Sequence, residues 1–289
     1  MDYPGPFLKW AGGKTQLLDE LLYLIPHTWI DNRRKWRRYH EPFLGAGALY
    51  FALYRLFGDR LVAHLGDDNR DLMEAWTGVM VEPDLVAAWI DAQGTTRADY
   101  YRIRAMRPET AVLLELLAER AARTIYLNKT CWNGLYRTGP DFMDPELKVF
   151  NVPWGKRESV TIYDPENFAA FGKMARMPLA FTRDFWQCER DVLEGDLVYF
   201  DPPYVPVKRT SKTDYGSGAF GYDEHERLAE LFDMLVTKRG AHCLLSNADT
   251  PWVRDRYRAH YLHPVKGRRS INSDGEGRGP VGEVIVVGR

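Results

Sequence analysis

Apolar side chains along this chain recur in two periods, and the switches between them divide it. Leu17, Leu18, Leu21, Leu22 and Ile25 fall on one face of a 3.6-residue period, which predicts an amphipathic helix over 14–25. A short strand is predicted to approach Glu41-Pro42-Phe43, a helix to run over 48–56, and a strand over 61–65 to end at Asp67. Helical periods then dominate, at 69–80, 84–92, 97–105 and 110–127. From Cys131 to Tyr163 the helical period is lost, and Trp, Tyr, Gly, Asn and Pro predict a hairpin or an ordered loop. Alternation resumes near 179. Leu197-Val198-Tyr199-Phe200 is wholly apolar, as a buried parallel strand is. A helix over 223–237 and strands over 241–245, 261–265 and 284–287 complete the pattern. The predicted class is α/β: one mostly parallel sheet domain, residues 1–70 and 164–289, interrupted by a largely helical insert at 71–163. Such sheets hold ligands beyond the C-terminal ends of their strands.

Composition narrows the class. With 45% hydrophobic residues in 289, there is ample material for a core. No apolar run approaches the ~20 residues that cross a bilayer, and Met1 to Pro6 lacks the basic start and apolar stretch of a secretion signal. A cytoplasmic location is expected. Cys131, Cys188 and Cys243 lie more than fifty residues apart, so reduced, structural thiols are expected. The seven histidines show no metal-ligand spacing, and no metal is expected. A net charge of −1 excludes coating of nucleic acid by bulk charge but leaves local basic patches. These are Arg33, Arg34, Lys35, Arg37 and Arg38; Lys208, Arg209 and Lys212; and Lys266, Arg268 and Arg269.

Three motifs carry chemistry. Asp201-Pro202-Pro203-Tyr204 follows directly on the apolar strand at 197–200. Two prolines stiffen this turn and remove two backbone donors, leaving nearby carbonyls free to accept. A carboxylate beside a carbonyl suits an exocyclic amino group, which has two protons to donate, and Tyr204 offers a face for a base. Taken alone, the motif also reads as a rigid turn capped by Asp201. Second, Gly45 and Gly47 in Glu41-Pro42-Phe43-Leu44-Gly45-Ala46-Gly47 let backbone approach a ligand closely. Tyr50 stands where a dinucleotide fingerprint would carry its third glycine, and Asp67-Asp68 follow about twenty residues on, where an acid suits ribose hydroxyls. That pattern favours a nucleoside-type cofactor without a pyrophosphate, beside the plainer reading of a tight turn. Third, Phe7 to Thr15 contains Gly13-Lys14-Thr15, but Leu8 occupies the position where a phosphate loop requires glycine. Gly12-Gly13 could simply open the helix at 14–25.

The order of these blocks resembles the Dam-type, α-ordered adenine-specific DNA methyltransferases of the D12 class. The likeness extends to Leu127-Asn128-Lys129-Thr130-Cys131-Trp132-Asn133-Gly134-Leu135-Tyr136-Arg137, to Phe150-Asn151-Val152-Pro153, to Ser246-Asn247-Ala248-Asp249-Thr250 and to Arg268-Arg269-Ser270-Ile271. The resemblance implies a Rossmann-like methyltransferase sheet with an inserted target-recognition, DNA-binding domain. It implies S-adenosyl-L-methionine as cofactor, held by Trp10, Lys14, Phe43, Gly45, Gly47, Asp67 and Asp201, with Asp68 a weaker choice than Asp67. Asp201, Pro202, Pro203 and Tyr204 would be the catalytic motif. Trp132, Asn133, Leu135, Arg137 and Pro153 would read double-stranded DNA at the family's usual target, GATC. A monomer is expected, and a cognate restriction endonuclease is the partner that such an enzyme allows. Two departures bear on the target: the extra residues at 138–149, and Trp132 where the family usually has Tyr or Phe.

The expected chemistry is methylation of a flipped adenine that stacks on Tyr204 and donates its amino protons to Asp201 and the Pro202 carbonyl. The glycine- and lysine-bearing loop at 205–222 is expected to close over the site. Competing readings are an RNA methyltransferase acting on a guanine amino group, and a catalytically inactive DNA-binding module. Arg137 is expected to read guanine, or else to grip phosphate or pair with Asp141 or Asp144.

Overall fold

The computed structural model describes residues 3–10, 12–30, 37–107, 114–156, 160–174, 178–205, 213–214, 219–265 and 282–288. Arg33, Arg34 and Lys35, the Lys208, Arg209 and Lys212 cluster with most of the 205–222 loop, and the Lys266, Arg268 and Arg269 cluster with Ser270-Ile271 lie outside them. The chain gathers into two compact units, one of residues 1–13, 45–59 and 67–182, the other of 14–44, 60–66 and 183–289.

The second unit is built on a mostly parallel sheet. Its strands lie in the order Tyr261–Val265, Glu283–Val287, His242–Ala248, Leu197–Phe200, Arg37–Glu41, Leu61–Asp67. Leu197–Phe200 is buried along its whole length. It runs parallel to Arg37–Glu41 on one side and His242–Ala248 on the other, with Tyr39 opposite Leu197 and Phe200 opposite Leu245. The C-terminal ends of these strands therefore face one edge of the sheet, the edge that carries Asp201. Glu283–Val287 pairs antiparallel with both of its neighbours, which is the departure from a wholly parallel sheet.

The helix Tyr222–Thr237 starts at Gly221, whose N–H donates to Glu224 Oε2 at 3.2 Å. Acids at 223 and 224 suit the positive end of the helix dipole. Its inner face, Leu228, Leu231, Phe232 and Leu235, is buried in one cluster with Val198, Phe200, Cys243 and Leu245. Truncating Phe232, fully buried there, to alanine would cost about 3–5 kcal/mol.

The first unit is helical. Arg70–Val81 is capped by Asn69, whose Oδ1 accepts the Leu72 N–H at 3.0 Å, and it packs on Leu114–Thr130. Contact is close because Gly78 has no side chain: a Cβ there would lie 2.3 Å from that of Ala121. Phe7, Tyr50, Phe51, Trp76, Phe168 and Phe171 form an aromatic core with stacked and edge-on contacts. After Leu114–Thr130 the chain forms a two-stranded hairpin, Thr138–Pro140 against Lys148–Phe150.

Elements depart from the predicted ones for local reasons. The helix predicted over 14–25 begins as a 3-10 turn, Lys14–Leu17, before Leu18–Leu24 becomes α-helical. The strand predicted over 241–245 continues to Ala248, because Ser246 and Asn247 are buried polar residues that mask its end. Pro165–Gly172 and Pro251–Arg256 are too short to show a period, but each has a capping side chain, Asp164 or Thr250, followed by proline at the first turn. All three cysteines are buried free thiols. Among the described residues no helix is long and apolar enough to cross a membrane.

Candidate active site

In the second unit, Asp201 is the first residue beyond Leu197–Phe200. The Lys14 ammonium lies 2.7 Å from its Oδ1 and 4.9 Å from the centroid of the Tyr204 ring. These side chains are only 10% and 18% exposed for Lys14 and Asp201. Burial raises the pKa of Asp201, and the Lys14 cation opposes that shift. An ion pair inside low dielectric keeps a carboxylate available as an acceptor where burial alone would favour the acid. The next strand steadies the motif: Asn247 Oδ1 accepts the Val205 N–H at 3.0 Å, just past Tyr204. The Tyr199 hydroxyl and Ser246 Oγ are 2.9 Å apart beneath it. Phe43 takes no part in this polar cluster. Its ring stacks on Phe185 at 5.4 Å and meets Phe200 and Phe220 edge-on.

In the first unit, Trp10, Gly45 and Asp67 come together. Gly45 has φ +50° and Gly47 φ +67°, conformations that strain a side-chain-bearing residue, and Gly47 opens the helix Ala48–Phe57. A Cβ on Gly45 would stand 3.1 Å from Trp10 Cδ1. The Gly45 N–H donates to Asp67 Oδ2 at 3.1 Å, the Asn69 N–H to Asp67 Oδ1 at 3.0 Å, and Trp76 Nε1 to the Gly45 carbonyl at 3.0 Å. Burial holds the Asp67 carboxyl above its usual range while these two N–H donors pull it down. A flat indole, a side-chain-free backbone and a carboxylate able to accept from hydroxyls fit a nucleoside.

The hairpin residues are presented to solvent. Trp132, Asn133, Leu135, Arg137 and Pro153 are all exposed, Trp132 by 50% and Leu135 by 44%. The Trp132 N–H donates to the Pro153 carbonyl at 2.9 Å, which joins the two ends of this stretch. Arg137 Nε donates to Asn151 Oδ1 at 2.8 Å, while Asp141 is paired with Arg107. Among the described residues no group of His, Cys, Asp or Glu is arranged to hold a metal ion.

The family model for D12 class N6 adenine-specific DNA methyltransferases matches residues 10–271. The chain belongs to that family. It is 31% identical to the type II methyltransferase M1.LlaDCHI of Lactococcus lactis subsp. cremoris, over 98% of this chain and 94% of the relative. It is 32% identical to the type II methyltransferase M.MjaIII of Methanocaldococcus jannaschii, over 94% of each. It is also 32% identical to the DNA adenine methylase of Haemophilus influenzae, over 98% of this chain and 93% of that protein. Membership makes this an adenine-specific DNA methyltransferase with a Rossmann-like fold and a DNA substrate. The family matched is one of DNA methyltransferases, not of RNA-modifying enzymes.

Three residues of this D12 methyltransferase support its candidate sites without having been singled out from the sequence. Tyr136 packs its ring on Trp10 at 5.3 Å and donates its hydroxyl to Asp71 at 2.8 Å, so the hairpin is fastened to the Trp10 cluster. Asn128 accepts the Lys9 N–H at 2.8 Å and donates to the carbonyls of Lys9 and Gly134. Asn247 fixes the chain after Tyr204. Each sits inside a block that carries the family resemblance, which was the available signal; its partner is distant in sequence.

Proposed function

We propose that this enzyme transfers a methyl group from S-adenosyl-L-methionine to the exocyclic amino nitrogen of adenine in double-stranded DNA, within a target of the GATC kind. The observation that carries the reading is the buried Lys14–Asp201 pair beside Tyr204 at the end of the central strand Leu197–Phe200. S-adenosyl-L-methionine, when bound, would supply an electrophilic methyl whose bond to sulfur breaks to leave a neutral thioether, while the methylated amino nitrogen loses one proton to solvent. Asp201 accepts one amino proton in a hydrogen bond, and the Pro202 carbonyl accepts the other. Pro202 and Pro203 hold these acceptors in a stiff turn. Tyr204 stacks on the flipped base, whose extraction from the duplex costs a few kcal/mol. Catalysis is then mainly positioning and electrostatics, with no covalent bond to the protein. Trp10, Gly45, Gly47 and Asp67 hold the cofactor's nucleoside, and Lys14 and Phe43 are the remaining cofactor residues that the family resemblance implies. Residues 71–163 form the recognition domain, in which Trp132, Asn133, Leu135, Arg137 and Pro153 read the target. The relatives named type II methyltransferases make a paired restriction endonuclease compatible with this reading.

The test is modified-base sequencing of a plasmid from a methylation-deficient host expressing this protein. N6-methyladenine within GATC is the expected result. N6-methyladenine in another motif would overturn the target assignment alone, and its absence everywhere would overturn the activity.

A further inference from the structure

Five of the twelve large hydrophobic side chains exposed among the described residues lie between 132 and 147: Trp132, Leu135, Phe142, Met143 and Leu147. The extremes are at the hairpin turn, where Phe142 is 97% and Met143 85% exposed. The turn that displays them is tied down. The Asp141 N–H donates to the Leu147 carbonyl at 2.7 Å and the Leu147 N–H to the Asp144 carbonyl at 3.0 Å. The Met143 N–H donates to Asp141 Oδ1 at 2.8 Å and the Glu146 N–H to Asp144 Oδ1 at 3.2 Å. Arg107 holds the Asp141 carboxylate from outside the hairpin. Two adjacent apolar side chains are thus held out to water on a pre-organised arm, which lowers the entropic cost of docking them.

The charges around the tip indicate what it touches. Asp141, Asp144 and Glu146 flank it, and Lys148 is the sole cation from 138 to 150. Such a tip is unsuited to gripping phosphate. It continues the arm that carries Trp132, Leu135 and Arg137, so on the reading above it enters the groove that those residues read. On the major-groove edges of the bases the one apolar group is the C5-methyl of thymine. Phe142 lies five positions beyond Arg137, a reach of at most about 18 Å, or roughly five base steps. We propose that Phe142 and Met143 pack on a pyrimidine C5-methyl outside the core target, so that the enzyme prefers thymine at a flanking position. This rests on the hairpin's engaging duplex DNA as proposed above.

The experiment uses the full-length enzyme and duplexes carrying its mapped core target. Each of the five flanking positions on either side is made thymine, deoxyuridine, cytosine or 5-methylcytosine in turn. At one position the wild type is expected to methylate thymine and 5-methylcytosine duplexes about fourfold faster than their unmethylated counterparts, the yield of burying one methyl-sized group. F142A/M143A is expected to equalise the four while keeping its melting temperature and its penalties for core substitutions. M143L keeps the preference. Equal rates of the wild type on all four pyrimidines, as for a wedge between bases or a tip that binds another protein, overturn the proposal. So does a preference that survives F142A/M143A. If no duplex is methylated, the functional reading fails with it; methylation of the core without a methyl effect overturns this inference alone.

Discussion

The two candidate clusters are built by opposite means. Around Trp10, Gly45 and Asp67 the interactions are backbone N–H to carboxylate, indole to carbonyl and ring to ring, and among the described residues no cation is paired with Asp67. Around Asp201 one buried ammonium meets one buried carboxylate. The first arrangement suits recognition of shape and hydroxyls. The second keeps a charge where charge is costly, and breaking one side of such a pair is strongly destabilising, by about 3–5 kcal/mol. Binding and catalysis should therefore respond differently to substitution, to acid and to salt.

The largest effect is expected at the charged cluster. Asp201→Asn keeps the volume but weakens the acceptor, and kcat should fall at least about 100-fold, or about 2.7 kcal/mol of barrier, with cofactor affinity less affected. A variant retaining more than about a tenth of wild-type turnover would remove Asp201 from the mechanism. Outside both clusters, substituting the hairpin should alter selection. Arg137→Ala should lose about 1–3 kcal/mol of discrimination at one guanine. An even loss across all single-base variants, with a shallower salt dependence, would instead make Arg137 a phosphate contact. Asn151, which Arg137 already contacts, is positioned to hold the guanidinium plane in either case.

Trp10→Ala and Asp67→Asn should each weaken S-adenosyl-L-methionine binding about tenfold, about 1.4 kcal/mol, in calorimetry without DNA. Unchanged heats in both would move the nucleoside site elsewhere. Lys14→Gln removes the group that lowers the Asp201 pKa, so that pKa should rise. The acidic limb of the kcat profile should then move to higher pH, and a stationary limb would show that Lys14 does not set this ionisation.

The smallest effect separates the units themselves. All seven histidines belong to the second unit. Burial lowers the pKa of His225 to about 4, and burial with nearby His40 and Arg38 lowers that of His64 to about 4. The unfolded chain, with histidine pKa near 6.5, binds more protons than the folded one between these values, so stability rises with pH there. Stability contributed by neutral His64 and His225 is intact above about 6.5 and is lost as pH falls toward 4. Hydrogen exchange at pH 7 and pH 5 should show Leu197–Phe200 losing more protection than Leu114–Thr130. Equal losses would argue against this assignment.

The strand before Asp201 was legible because four consecutive apolar residues leave little choice, and the Gly45–Gly47 loop because glycine spacing reports positive φ. Tyr136, Asn128 and Asn247 were less so, because what each does depends on a partner far along the chain: Asn128 meets Lys9 across 119 residues. Phe43 reads as part of the cofactor loop from its place beside Gly45, and its stack on Phe185 was not legible because that partner lies far along the chain. The extra residues at 138–149 were visible as an insertion. Their pairing into a hairpin was one of two readings left open, whereas the exposure of Phe142 and Met143 was not legible, because exposure depends on what folds nearby.

The buried thiols have a practical consequence. Cys131 and Cys188 are fully enclosed and Cys243 is 1% exposed. Burial pushes the Cys188 pKa up to about 12 and raises that of Cys243 further from the thiolate that reacts. A maleimide reagent applied to the folded protein should find little to modify. One engineered thiol on the exposed hairpin, such as Glu146→Cys, would then accept a fluorophore alone, and the arm's arrival on DNA could be timed by stopped-flow emission without first stripping the native cysteines.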